Sequence, residues 1–437
     1  MSSIRIGVAL LGFGTVGGGV YNLLAHDQEI QGKHGVGFDV RKVLVRDPKS
    51  PRVASLPREL ITTSIQEILN DESIDVVIEV MGGTSTAREY ILDALKAGKH
   101  VVTANKALMG SKGEELVGRA RQHQKYFGFA AAITGCHQFS PSIVSSVFVE
   151  SLAGVFNGTS NYILTQMEAG ATFDQALKDA QAKGFAEANP VDDIDGPDTR
   201  NKLVIISKLA FGVFLKGEDI PVEGIRQITK RDMDYAKELG YTIKLLGITE
   251  RGADGKLHAR VHPCFVPKGD LLASIPGVSN GLQIFDALRG IQGMRAAGAG
   301  SRPTAMAIFT DLVNIAQNRP IIWPQPTLAR RAAKPSKGAI RLGKFYVRLD
   351  VEDHPGVLAN VSKVFGRHRI NINRLIQPEP DANLSAALIV LCGPASERSL
   401  KQALEEIEAL KSVRSKPLFI RVEDALHAQQ AELTANA

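Results

Sequence analysis

The sequence predicts an α/β protein: a doubly wound parallel sheet, then an α+β region, then a compact C-terminal unit. Three observations carry that expectation. An apolar run, I-R-I-G-V-A-L-L at 4–11, ends in the glycine-rich turn Gly12-Phe13-Gly14-Thr15-Val16-Gly17. Strand-like and helix-like segments then alternate as far as Thr103. A stretch rich in proline, glycine and basic residues at 324–343 sets off a last unit with its own strands and helices.

Residues 4–11 read as a buried parallel strand, because the run is nearly continuous in apolar residues. A helix follows from Thr15 to Ala25, then a strand from Val40 to Val45 that ends at Arg46-Asp47-Pro48. Ile74 to Val80 is the next strand, Thr86 to Ala97 a helix closed by Gly98, and Lys99 to Thr103 a further strand before Ala104-Asn105-Lys106. From about residue 140 helical stretches dominate, at Phe173–Lys183 and Lys202–Phe214, with a strand at Leu257–Phe265. Gly293 to Thr304 reads as a glycine-rich loop leading into a helix at Ala305–Gln317. In the last unit, strands are expected at 345–351, 386–391 and 418–422, with helices at 356–367 and 396–408. The resulting division is 1–135 with a return segment about 300–323, then 136–299, a linker at 324–343, and 344–424.

Composition narrows the class. At 437 residues the chain exceeds one ordinary core. Hydrophobic residues at 44% and charged residues at 22% fit a soluble globular protein, and no apolar window is long enough for a membrane span. The net charge of +6 is scattered, which argues against a nucleic-acid stripe and for anionic small molecules. Cys136, Cys264 and Cys392 are widely spaced, as in a reduced cytoplasmic protein.

The glycine turn has a physical logic. Gly12 permits the tight turn, Gly14 lets backbone approach a pyrophosphate, Gly17 lets helix and strand pack, and the helix N-terminus faces the phosphates. Strand, turn, helix and second strand in that order are the Rossmann-type context that gives the motif its meaning. At the tip of the second strand, Arg46 suits a 2′-phosphate and so NADP, while Asp47 keeps NAD open. Lys106 follows a strand end that lines the ligand crevice, or is a surface lysine. Asn157-Gly158-Thr159-Ser160-Asn161-Tyr162 suits either carboxylate recognition or a helix cap.

The densest chemistry lies at 183–211. Glu187, Asp192, Asp193, Asp195 and Asp198 precede Lys202, and Asp198 and Lys202 share a helix face. An ammonium among carboxylates can bind an amino acid and pass a proton to its oxygen. The run D-D-I-D-G resembles the start of a calcium loop, but Pro197 breaks the required spacing.

Taken in order, G-F-G-T-V-G-G-G-V (12–20), T-A-N-K (103–106), N-G-T-S-N-Y-I-L (157–164), A-E-A-N-P-V-D-D-I-D-G-P-D (186–198), N-K-L (201–203) and G-A-G (298–300) resemble homoserine dehydrogenases. The resemblance implies NAD(P)H-dependent reduction of aspartate 4-semialdehyde to homoserine, in a homodimer or homotetramer. It implies Lys202 as the catalytic lysine. Glu187, Asp192 and Asp198 would be substrate acids, with Lys106 and Thr159 beside the substrate. Phe13, Thr15, Val16, Arg46, Lys106 and Gly300 would be cofactor contacts. V-E-D-H-P-G-V-L-A at 351–359 resembles an ACT domain of βαββαβ order, a module that binds a regulatory amino acid, here threonine. Its removal near Arg341 is expected to leave activity and abolish inhibition.

One segment departs from the family pattern. A-A-A-I-T-G-C-H-Q at 130–138 puts Ala130 where the family has a sodium-site glutamate. The carbonyls of Ile133, Gly135 and His137 match the remaining ligands, so sodium binding is expected to be weak or absent. Two other readings stay open: a different NAD(P) enzyme for an amino-acid aldehyde or keto acid, and a redox sensor without catalysis. The sensor reading leaves the cluster around Lys202 unexplained.

Overall fold

The computed structural model describes residues 4–26, 32–133, 148–252, 254–298, 300–318, 342–378 and 385–423. The linker at 324–341 lies outside them, and residues 342 and 343 already belong to a strand.

The first sheet contains β1 (Ile4–Leu11), β2 (Val36–Leu44), β3 (Ile61–Thr62), β4 (Val76–Glu79), β5 (His100–Thr103) and β6 (Phe127–Gly128), all parallel in the order β3-β2-β1-β4-β5-β6. Helices α1 (Thr15–His26), α2 (Ser85–Lys96) and α3 (Lys106–Gln122) make the crossovers. Alternate residues of β1 serve opposite faces. Val8 and Leu10 pack with Val20 and Leu24 of α1, while Ala9 and Leu11 join Ile91, Leu95 and Leu108. Helices on both faces bury both sides of every central strand, so these strands lack a polar alternation.

The middle region contributes β7 (Val149–Val155), α4 (Gly158–Glu168), α5 (Phe173–Ala182), α6 (Pro197–Phe211), α7 (Lys230–Glu238) and the antiparallel strands β8 (Tyr241–Arg251), β9 (Leu257–Pro267), β10 (Ser279–Asp286) and β11 (Gly290–Ala297). Helix α8 (Ser301–Ala316) then returns to the first sheet, where Ala305, Ile308, Phe309 and Leu312 pack beside Val8, Val20 and Phe38.

Two expectations are corrected here. Helix α6 starts at Pro197 rather than Lys202, because Gly196 turns the chain at φ +95° and Pro197 suits the first helical position. It stops at Gly212 in the left-handed region. The loop expected at Gly293–Thr304 begins inside an edge strand, Gly290–Ala297, paired on one side only along Ser279–Asp286, and ends inside helix α8, which starts at Ser301. An edge position tolerates the strand's small residues and glycines, which hid it from the strand signal.

The C-terminal unit has the βαββαβ order β12 (Leu342–Glu352), α9 (Val357–Arg367), β13 (Ile372–Ile376), β14 (Ser385–Ser396), α10 (Glu397–Glu408) and β15 (Leu418–Val422). One face of its sheet packs Val347, Leu349 and Val390 against Val361, Phe365, Leu400 and Ile407. The other face, with Tyr346, Ile389 and Ile420, merges with the core of the middle region. Tyr346 stacks on Phe265 with ring centres 4.5 Å apart. Strand β15 also pairs in parallel with β9, Arg421 opposite Cys264 and Val422 opposite Phe265. A single nine-stranded sheet, β11-β10-β7-β8-β9-β15-β12-β14-β13, therefore runs through both regions.

Candidate active site

Helix α6 brings the two central groups together. Asp198 and Lys202 lie one turn apart, and Nζ of Lys202 is 2.9 Å from Oδ2 of Asp198. Their side chains are only 6% and 12% exposed for lysine and aspartate respectively, and Lys202 also donates to the carbonyl of Phe156 at 2.5 Å. Asn280 on β10 donates to that same carbonyl at 3.2 Å. The carbonyl sits just past the end of β7, so the middle sheet fixes where the ammonium stands.

Asn157 organises the acids. Its Oδ1 caps α4 by accepting from the Ser160 N–H at 2.7 Å. Its Nδ2 donates to Asp193 at 2.6 Å and to Asp198 at 3.0 Å. Thr159 is buried beside it and donates to the carbonyl of Phe185 at 2.6 Å. Lys106, at the start of α3 in the first domain, reaches across with Nζ 3.5 Å from Oδ1 of Asp198.

The charges are set by burial and by these neighbours. Burial pushes the Asp198 carboxyl up, but the cations of Lys202 and Lys106 and the Asn157 amide outweigh it and hold the group at about 2. Burial also pushes Asp193 up. There Asn157 opposes the rise while the Asp198 charge adds to it.

The first domain, which supplies Lys106, also carries the glycine turn. Gly12 has φ +105°, and a Cβ there would come within 3.0 Å of the Val80 carbonyl. A Cβ on Gly17 would lie 2.4 Å from the Gly12 carbonyl, whereas one on Gly14 would meet nothing within 4 Å. The turn is thus closed against the residues that follow β4 and against itself, and open at Gly14, where a pyrophosphate would approach ahead of the α1 N-terminus. Phe13 and Val16 pack onto the core, and the Thr15 carbonyl accepts from Ser301 at 2.9 Å, next to Gly300 at the head of α8. Arg46 is exposed just beyond β2.

Comparison with known proteins agrees with this geometry. Residues 12–130 match the family model of the homoserine dehydrogenase NAD-binding domain, and residues 141–313 match that of homoserine dehydrogenase itself.

The chain belongs to the homoserine dehydrogenase family.

It is an NAD(P)-dependent oxidoreductase acting on a CH–OH group. Residues 347–415 match an AHAS small subunit-like ACT domain. The homoserine dehydrogenase of Pseudomonas aeruginosa is 36% identical, over 97% of this chain and 99% of its own. The crystal structure of a homoserine dehydrogenase from Thiobacillus denitrificans, 36% identical, superposes with a TM-score of 0.86 over 96% of this chain and 98% of that one. A putative homoserine dehydrogenase from Archaeoglobus fulgidus is 34% identical with a TM-score of 0.63, and aligns over 71% of this chain and 99% of its own.

Within this homoserine dehydrogenase fold, the residues expected from sequence divide. Lys202, Asp198, Lys106 and Thr159 converge. Asp192 does not: it is exposed, and its neighbour Asp193 faces Asn157 instead. Both lie on the helical turn Val191–Ile194, where successive side chains point about 100° apart, so one of an adjacent pair must face away. Glu187 is exposed on the connection after α5, its carbonyl accepting from Gln181 at 3.2 Å. Asn280 and Glu79 carry no motif in the sequence, whereas Asn157 opens the Asn157–Tyr162 motif. Glu79 is a fully buried carboxylate at the end of β4 that accepts from Thr103 at 2.6 Å and from the Met81 N–H at 2.9 Å, and so ties two crevice loops together. Its one signal was a lone acid inside an apolar run.

The sodium set lacks its carboxylate. Ala130 offers no carboxylate, Ile133 is buried in the short 3-10 turn Ala130–Ile133, and Gly135 and His137 lie outside the described residues, as does Cys136. Among the described residues no group of three His, Cys, Asp or Glu side chains is arranged to hold a metal.

Proposed function

We propose that the chain interconverts L-aspartate 4-semialdehyde and L-homoserine, with Lys202 as the proton donor to the substrate oxygen. The observation behind this reading is the buried Asp198–Lys202 pair, which faces Lys106 from the other domain. Gly12, Gly14, Gly17 and Arg46, with Phe13, Thr15, Val16 and Gly300 around them, would hold NADPH, and the bound nicotinamide supplies the hydride. Lys202 stabilises the charge that builds on the aldehyde oxygen and gives it a proton. Asp198, at 2.9 Å, keeps that lysine aimed. Glu187 and Asp193 take the substrate ammonium, with Asp193 in the place first expected for Asp192. Lys106 stands where cofactor and substrate meet, and Thr159 fixes the wall beside them.

No step is routed through sodium. Oxidation of homoserine releases a proton from its hydroxyl, so that direction is expected to gain with rising pH. NADPH consumption on adding aspartate 4-semialdehyde tests the activity. Lys202→Ala tests the role, and near-normal turnover in that variant rejects it.

The ACT unit is read as a threonine site that feeds back on activity. A cavity of about 370 Å³ opens where β12 meets α9, lined by Glu352, Asp353, His354, Gly356 and Gln377 among others. That volume suits a single amino acid, and its lining joins polar groups for a zwitterion to the apolar Val351, Val357 and Leu388. The enzyme is read as a cytoplasmic homodimer or homotetramer.

A further inference from the structure

The last strand of the ACT unit reaches the acid turn of the active site through one arginine. Arg421 on β15 has a side chain only 8% exposed. It forks onto Glu223, Nη1 to Oε2 and Nη2 to Oε1, both at 2.8 Å. On its other edge it holds Glu397 at 2.8 and 2.7 Å. Such two-sided, bidentate geometry separates this contact from ordinary surface ion pairs.

Glu223 lies in the segment 221–226. Its N–H donates to the Val261 carbonyl of β9 at 2.8 Å. The next residues press on the acid turn. A Cβ on Gly224 would lie 2.5 Å from the Ile194 carbonyl and 2.6 Å from Cα of Asp195. The Ile225 N–H donates to the Ile194 carbonyl at 2.9 Å, and Arg226 grips the Asp195 carboxylate at 2.5 and 3.1 Å. From the same side, a Cβ on Gly196 would meet Val222 at 2.7 Å. Asp193 immediately precedes this turn and Asp198 closely follows it.

We propose that Arg421 is a positioning residue for the substrate: through Glu223 it clamps the 221–226 segment, and that segment sets the angle at which Asp193 and Asp198 meet Asn157. Both acids share one amide, at 2.6 and 3.0 Å, so a small displacement of the turn costs one of those bonds. The glycine contacts leave the segment no slack to absorb a shift. A lysine at 421 would keep the charge but could not fork onto two carboxylates.

The inference rests on assigning Asp198 and Lys202 to the substrate site, which Lys202→Ala tests independently. The experiment is steady-state kinetics on the full-length enzyme with Arg421→Gln, Arg421→Lys, Glu223→Gln and the double variant Arg421→Gln/Glu223→Gln. Each single variant is expected to raise KM for homoserine about fivefold to tenfold, with kcat and the cofactor KM within about twofold, and the double variant to be no worse than the poorer single one. An unchanged homoserine KM, an equal rise in the cofactor KM, or independent effects that multiply in the double variant would each overturn it. If Arg421→Gln does not fold, Glu223→Gln, whose side chain is 36% exposed, carries the same decision. A dead Lys202→Ala beside a normal Arg421→Gln refutes the clamp alone, whereas an active Lys202→Ala refutes the site.

Discussion

Replacing Lys202 by alanine removes the cation held between Asp198 and the Phe156 carbonyl. Two effects follow, with different readouts. The first is catalytic. Loss of a general acid costs about a hundredfold or more in turnover, equivalent to about 2.7 kcal/mol of barrier. The dinucleotide turn at Gly12–Gly17 lies on another domain, so NADPH affinity should hold. The second effect is electrostatic. With its cations in place Asp198 sits at about 2 instead of 3.8, which contributes about 2 kcal/mol of stability at neutral pH. Because the folded-state value is depressed, that contribution is present above 3.8 and lost as pH falls toward 2. In the variant only Lys106 remains, 43% exposed at 3.5 Å, and burial pushes the carboxyl back up. The stability gap between the two proteins should therefore close as pH drops through that window. Absorbance of reduced nicotinamide gives turnover, calorimetry gives NADPH binding, and melting curves across acid pH give the gap. Turnover within about tenfold of the parent would refute the proton-donor role.

Other perturbations test separate links. Arg46→Ala should raise KM for NADPH far more than KM for NADH, and equal changes would mean that the exposed guanidinium does not read the 2′-phosphate. Asp311 on α8 is buried, accepts from Tyr126 and from the Ala130 N–H at 3.0 Å each, and is raised to about 7 chiefly by burial. A raised carboxyl stabilises below 3.8 and loses that contribution as pH climbs through 7, so Asp311→Asn should gain on the parent over this range, by up to about 4 kcal/mol in denaturant titrations. Threonine should inhibit the full-length enzyme and His354→Ala should blunt that inhibition at unchanged basal rate, whereas cutting near Arg341 should now raise the homoserine KM rather than simply release the enzyme, since β15 leaves with the cut.

Some elements were legible from local chemistry alone. Strand β1 was bounded correctly because a continuous apolar run meets a glycine. Helix α5 carries its own start signal, a capping box at Thr172 and Gln175. Helix α6 was entered late because every residue from Lys202 to Phe211 is buried, which erases the amphipathic period. Within the site, the spacing of Asp198 and Lys202 predicted their contact. The choice between Asp192 and Asp193 needed the phase of a short turn that no periodicity fixes. The motif at Asn157–Tyr162 read as a helix cap at Thr159 or Ser160, or as a carboxylate contact, and the cap is Asn157. It is also the holder of two acids from distant sequence, and only the fold supplies that second half. The β9–β15 pairing, which joins strands far apart in the chain, had no sequence signal at all.

A sheet without a break has no hinge. For the ACT unit to swing as a body, the backbone bonds between β9 and β15 would have to part together with the Phe265–Tyr346 stack. The rearrangement such a sheet allows is a change of twist passed from strand to strand rather than rotation about a hinge. Such a response is small in amplitude and needs no domain to open.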